Sequence, residues 1–423
     1  MALSYLSPGV FVEEVPSNIK AIAGVSTSTA AFVGVVQDKI HLLARDPANV
    51  NETKFVDFDV NKSVPAKTPK VITSWAQFTS NFGDLIGDPK TDATSDAAPA
   101  LDPGQHQLAH AVYGFFNNGG TRCFVVRITG TADMLDALKS LEAIDGISIV
   151  CAPGQIDPAI RQQVVDHCEK MKNRFAILDG TGPEPVTDLS RLTTVATTSG
   201  TGLAPKNSDF AAWYYPWIRV FDPAEKLAHS GGDGSIALPP SGHLAGVYAR
   251  VDSERGVFKA PANVSIRGAL DVTHTLSKFD QDLLNPTGVN LIRILNNNLL
   301  VWGARTAGGD GNGDLRYIST RRTLLFLRES IEQGTQFAVF EPNAPALWAT
   351  ITRNVSAFLT TVWRAGGLFG ATPQEAFFVK CDAETNQPPT REIGQVITEV
   401  GVAIVRPAEF VIFRISQFQA PTK

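Results

Sequence analysis

The sequence predicts an α/β protein in two parts, a mixed-sheet α/β body followed by a C-terminal α+β domain, with strand-like arms at both chain ends. Three observations carry that reading. Between residues 105 and 178, helical and strand-like patterns alternate with short connections, as they do when helices layer on a largely parallel sheet. After Trp302, two helical patterns follow one another, each with apolar residues three and four apart. At either end lies a short apolar run bounded by proline, with no local partner for its backbone groups.

Taken in order, residues 9–15 lie between Pro8 and Pro16 and place Val10, Phe11 and Val12 in the first arm. The stretch 25–36, with Thr27, Thr29, Phe32, Val33 and Gly34, reads as a buried strand. Residues 40–70 are rich in Asn, Asp, Lys and Pro and read as an insertion loop, with another loop over 89–103. Leu108, Val112, Phe115 and Phe116 then form a helix face, stopped by Asn117-Asn118-Gly119-Gly120. Strands are expected over 123–128, 147–151 and 175–178. Helices are expected around Leu135, Leu138 and Leu141, and over 157–172. Residues 181–209 are rich in Gly, Pro and Thr and read as loop.

In the C-terminal part, a helix over 319–333 carries a short apolar stripe, Leu324, Leu327 and Ile331. Arg321, Arg328 and Glu332 form a separate charged stripe, which by itself is a solvated face. The alternative for Arg321 or Arg322 is pairing within its own chain, with the acidic 310–314 turn among the partners. The next helix buries Trp348, Ile351, Val355, Phe358, Leu359 and Val362, with Asn343 as N-cap, Pro345 in the first turn and Gly366 as the stop. Phe410, Val411, Ile412 and Phe413 open the second arm after Pro407. The expected division is an arm over 1–20, an N-terminal segment over 21–100, an α/β domain over 101–300, a C-terminal domain over 301–405 and an arm over 406–423.

Composition narrows the function. A hydrophobic content of 43% with 19% charged residues belongs to a folded globular chain, long enough for two or three domains. Net charge is −5 with no basic stripe, which argues against nucleic-acid binding. The first residues lack a basic and apolar leader pattern, and no apolar run approaches the ~18 residues of a membrane span. The four cysteines, Cys123, Cys151, Cys168 and Cys381, form no CxxC pair and suit a reducing compartment.

Catalytic and metal chemistry find little support. His106 and His110 share a helix face without the His-Glu-x-x-His pattern or a visible third ligand. Neither a nucleophile elbow nor a phosphate-binding loop occurs. Asp310, Asn312 and Asp314 begin like a calcium loop, but Leu315 stands where Gly is needed and Arg321 where Glu is needed. No cofactor or metal site is expected.

A series of short blocks resembles the contractile tail sheath proteins of phage tails, R-type bacteriocins and extracellular contractile injection systems. They include Leu6-Ser7-Pro8-Gly9-Val10-Phe11-Val12-Glu13-Glu14, Phe115-Phe116-Asn117-Asn118-Gly119-Gly120, Trp302-Gly303-Ala304-Arg305-Thr306, Tyr317-Ile318-Ser319-Thr320-Arg321-Arg322, Val339-Phe340-Glu341-Pro342-Asn343 and Arg406-Pro407-Ala408-Glu409-Phe410. The resemblance implies a subtilisin-like body without a catalytic triad, in a non-enzymatic subunit. It implies a homo-polymer of stacked sixfold rings around an inner tube, contracting to drive that tube through a target envelope. Partners would be other copies, the inner tube protein, and baseplate and terminal cap proteins, with no nucleic acid and no membrane insertion. Assembly would take place in the cytoplasm, as part of a phage tail or a released tail-like particle. The terminal arms would complete a sheet in neighbouring copies, and Arg321, Arg328 and Glu332 would face the tube. The single chain differs from type VI secretion sheaths, which are split between two proteins. The alternatives are an α/β hydrolase-like enzyme with an oligomerisation domain, and a static tube or shell protein.

Overall fold

The computed structural model describes residues 22–49, 51–88, 100–197 and 200–414. In chain order the strands are β1 (Ala30–Val35), β2 (Lys39–Arg45), β3 (Thr53–Asp59), β4 (Lys70–Ile72), β5 (Cys123–Ile128), β6 (Ile149–Cys151), β7 (Phe175–Asp179) and β8 (Ala211–Tyr215). They continue as β9 (Ile218–Phe221), β10 (Ser235–Leu238), β11 (Val264–Ser265), β12 (Ala269–Val272), β13 (Val289–Leu295), β14 (Asn298–Val301), β15 (Phe377–Lys380) and β16 (Glu399–Val402).

Nine of these form one sheet in the order β11-β14-β13-β8-β7-β6-β1-β5-β4. Its interior, from β5 to β13, is parallel throughout, and the margins are antiparallel. Strands buried on both faces read as continuous apolar runs, which is why β5, β7 and β8 are buried at every position. Helices Pro103–Asn117 and Ser241–Arg255 cover one face, and Met134–Ser140 and Pro158–Met171 cover the other. The sheet therefore lies between two helical layers, a mixed α/β architecture. β1 comes from the N-terminal segment yet sits between β5 and β6, so that segment is part of the sheet itself.

Helices 103–117 and 241–255 approach closely because Gly246 lacks a side chain. A Cβ there would lie 2.4 Å from the carbonyl oxygen of Phe115. The starts of three helices follow one rule: Asp102-Pro103, Asp157-Pro158 and Asp222-Pro223 each pair a capping carboxylate with proline in the first turn.

The expected loop over 40–70 is instead largely the antiparallel hairpin β2–β3, paired from Lys39–Asp59 to Arg45–Thr53. Its polar residues face outward, while Ile40, Leu42, Leu43 and Val56 are buried. The outward residues dominated the composition and hid the strand pattern. The expected loop over 89–103 falls mostly outside the described residues.

A separate apolar core lies in the C-terminal part. Helix Pro345–Arg364 supplies Trp348, Ile351, Val355, Phe358, Leu359 and Val362 to it, as its three-four spacing predicted. Ala344 is the N-cap; Asn343 is not, because its carboxamide accepts from the Trp348 indole at 2.8 Å and donates to the Gln395 carbonyl at 2.9 Å. Gly366, at φ +85°, follows the end of the helix. Helix Ile318–Gly334 belongs to both cores. Ile318 and Leu325 join the body, while Leu327 joins the C-terminal cluster with Ile331 packed against it.

Candidate assembly surfaces

The 318–334 helix is fastened to the body by a buried ion pair. Arg322 reaches both oxygens of Asp252, at 2.9 and 2.6 Å, and the carbonyl of Thr27 at 2.9 Å. Thr27 donates to the same carboxylate at 2.6 Å, and the guanidinium lies over the Tyr248 ring. Such a forked pair fixes orientation as well as position, because both donors must align with one carboxylate plane.

The two arm roots lie at opposite ends of this helix. At its C-terminal end, Ile22 packs on Gly334, and the Val25 amide donates to the Ser330 hydroxyl at 3.1 Å. At its N-terminal end, the Tyr317 hydroxyl donates to Glu409 at 3.1 Å. Seventeen helical residues set the two roots roughly 25 Å apart.

Val10, Phe11 and Val12 lie outside the described residues. Phe410, Val411, Ile412 and Phe413 are described, and within the single chain they form no strand. All four are solvent-exposed, by 70, 69, 79 and 83%. Nearby in sequence, β15 and β16 make a sheet of only two antiparallel strands, each with one neighbour among the described residues. Phe378 on β15 is itself largely exposed. An unpaired strand edge and an apolar segment without a partner are complementary features.

The charged stripe of the 318–334 helix is divided. Arg328 and Glu332 are exposed. Arg321 is not a free surface charge: it is half-buried, ion-paired with Asp209 and stacked over the Phe210 ring at 4.2 Å. Spacing put Arg321 on the stripe, but a partner 112 residues away turned it inward. The acidic turn is likewise engaged, with Asp310 pairing Arg305 and Arg316, and Asp314 pairing Arg406.

His106 and His110 are buried and meet a third group that their spacing could not reveal. Their Nε2 atoms lie 2.9 and 3.3 Å from the two oxygens of Asp222. The same carboxylate accepts from the Ala224 and Glu225 amides as a helix cap. Each oxygen thus has an imidazole and an amide, and the cluster ties helix 103–117 to the Pro223–Ala228 turn. A second buried acid, Asp179, accepts the Ser241 hydroxyl at 2.8 Å, the Ser241 amide at 2.8 Å and the Gly154 amide at 3.0 Å. Burial pushes this carboxyl up to about 6 despite those bonds. Ser241 is fully buried, so its hydroxyl and amide serve to satisfy the buried Asp179 carboxylate within the core. No described helix is long and apolar enough to cross a membrane.

Glu409, Asp222 and Asp252 are the bonding partners that the sequence did not single out. The first was visible within the Arg406-Pro407-Ala408-Glu409 block; the others carried no local signal beyond an Asp-Pro helix start at Asp222.

The family model for the phage tail sheath protein central domain matches residues 129–307, and that for the phage tail sheath C-terminal domain matches residues 310–418. A prophage major tail sheath protein of Pseudomonas aeruginosa (strain UCBPP-PA14) is 23% identical over 319 residues, covering 73% of this chain and 72% of its own. The tail sheath protein of Escherichia phage P2 is 22% identical over 304 residues, covering 69% of this chain and 70% of its own. Among solved structures, the PVC sheath complex of an extracellular contractile injection system in its contracted state has 28% identity and a TM-score of 0.71, over 98% of this chain and 99% of its own. The helical sheath of the anti-feeding prophage, also contracted, has 26% identity and a TM-score of 0.71, over 98% of this chain and 100% of its own. The two matched domains are contiguous, and the likeness to the PVC and anti-feeding prophage chains runs nearly end to end: this chain belongs to the contractile tail sheath family.

Proposed function

We propose that this chain is the structural subunit of a contractile sheath, polymerising as stacked sixfold rings around an inner tube and shortening to drive that tube through a target envelope. The observation that carries the reading is the near full-length likeness to two contracted sheaths. The unpaired β15–β16 sheet and the exposed 410–413 segment supply its chemistry. Strands donated by the arms of other copies would extend that sheet. Each donated strand would add about 4–6 backbone hydrogen bonds, at roughly 0.5–1.5 kcal/mol net apiece. Roots at opposite ends of one helix let the two arms reach different copies.

The inner tube protein, baseplate proteins and a terminal cap would be its partners within a phage tail or an extracellular injection particle assembled in the cytoplasm. Tube contact falls to the exposed charges Arg328 and Glu332, with Arg353 and Arg364 on the following helix as the next surface. Exposed charges give alignment with modest net affinity, which suits a tube that must be held and then released. The role is structural, with no chemical step.

The test is removal of residues 1–18. The truncated chain should stay soluble with unchanged circular dichroism and melting, but form no long tubes in sedimentation or micrographs. Tubes of normal length would overturn the exchange of arms.

A further inference from the structure

The acid at the root of the C-terminal arm collects more donors than a surface carboxylate needs. Glu409 accepts from Arg305 twice, Nε to Oε1 and Nη2 to Oε2, each at 2.9 Å. Asn285 Nδ2 donates to Oε1 at 2.7 Å, and the Tyr317 hydroxyl to Oε2 at 3.1 Å. A forked guanidinium pair with two further donors fixes a carboxylate in plane and in direction.

None of the three partners belongs to the small β15–β16 sheet from which the arm emerges. Asn285 follows helix Lys278–Leu284, Arg305 follows β14, and Tyr317 caps the 318–334 helix. Arg305 is itself held in place. Its amide donates to Asn290 Oδ1 at 2.8 Å and its carbonyl accepts from Asn290 Nδ2 at 2.7 Å, with Asn290 fully buried on β13. Burial pushes the Glu409 carboxyl up and pulls the Arg305 guanidinium down, yet their mutual bonds outweigh burial and leave both ionised. One residue later the chain is free: Phe410 and the three residues after it stand in solvent. Glu409 is thus the last fastened residue before the exposed 410–413 segment, in a stretch where Arg406 and Ala408 are also exposed.

We propose that Glu409 is the anchor of the C-terminal arm, fastening its root to the central body so that residues 410–413 leave in a fixed direction and add as a strand to a second copy of this chain. The proposal rests on the strand-exchange reading above. An arm with a fixed root loses less freedom on docking than one that swings from β16, so it docks at lower concentration. The anchor also hands any pull along the arm to the nine-stranded body and bypasses the donor's own two-stranded sheet.

The experiment uses the full-length chain. Glu409→Gln keeps the shape and removes the charge; Arg305→Lys keeps a charge and loses the fork. Both should raise the critical concentration for sheath polymerisation by about tenfold, with near-UV circular dichroism and melting close to wild type. Tyr317→Phe removes one donor and should raise it less, in the same direction. Wild-type polymerisation by Glu409→Gln would overturn the anchor. A peptide of residues 406–418, added to the wild-type chain, separates the anchor from the contact between copies. It should block polymerisation equally well with or without Glu409→Gln, because the anchor acts within its own chain. Loss of blocking by the Glu409→Gln peptide would place the carboxylate against the acceptor and overturn the proposal. A peptide carrying Ile412→Pro that blocks as well as wild type would instead overturn strand exchange itself, since proline removes a ladder donor.

Discussion

At the residue scale, the fold depends on polar groups buried in neutral or paired form, and this gives it a pH signature. Burial pulls His243 down to about 3, and burial together with the Arg174 guanidinium pulls His167 down to about 4. Both folded values lie below the unfolded value near 6.5, so the folded chain binds fewer protons. Their contribution is fully present above pH 6.5 and is lost as pH falls below it. His243 alone loses on the order of 3 kcal/mol by pH 4. Asp179, raised to about 6, works the other way: the folded chain binds its proton between about pH 4 and 6, and acid favours it there. Two histidines against one aspartate give a net loss. Melting of the unassembled subunit should therefore fall steadily from pH 6.5 to 4, and a flat or rising profile would contradict these assignments. None of this was legible in the sequence, because a histidine on an apolar face looks the same whether it is buried or bonded to an acid a hundred residues away. His106 and His110 show the difficulty: their spacing was plain, while Asp222 lies 116 and 112 residues further on. Arg321 is the converse, a residue whose spacing suggested solvent and whose partner is Asp209.

At the scale of elements, periodicity recovered what it could encode. The apolar spacing of helix 345–364 and the runs of β5 and β7 recur in the structure within a few residues. The β2–β3 hairpin was lost because its outward face is polar and its buried face is only a few residues. The C-terminal arm is a different case: residues 410–413 form no strand within the single chain, and a strand that pairs only in a polymer would leave a pattern in the sequence and none in one chain. Ile412→Pro in the full-length protein should leave the subunit folded and weaken polymerisation, since Ile412 touches no core and is 79% exposed. Wild-type sedimentation of that variant would count against a donated C-terminal strand. The 318–334 helix offers a second check. Arg328→Glu should spare polymerisation but reduce co-purification of the inner tube, more so at low salt, where exposed charges act over longer range. Undiminished tube would move the contact to Arg353 and Arg364. Arg321→Glu would be a poor probe, because it breaks the pair with Asp209 inside the subunit.

For the whole molecule, the α/β class and family were legible in order along the chain, while the packing that joins its parts was not. β1 belongs to the centre of the nine-stranded sheet, and helix 318–334 carries residues of two cores with Arg322 locked on Asp252. Contacts of this kind would hold the body and C-terminal part in fixed relation, and the exposed 410–413 segment is the part proposed above to join copies. Shortening would then come from the reorientation of whole subunits joined by their arms. The direct test is cryo-electron microscopy of the polymer assembled on its inner tube, before and after triggering. The account predicts a sheath that becomes shorter and wider, with the subunit's internal structure superposing in both states and residues 410–413 paired to the β15–β16 sheet of another copy throughout. A polymer of fixed length and diameter, or arms folded back on their own chain, would contradict it.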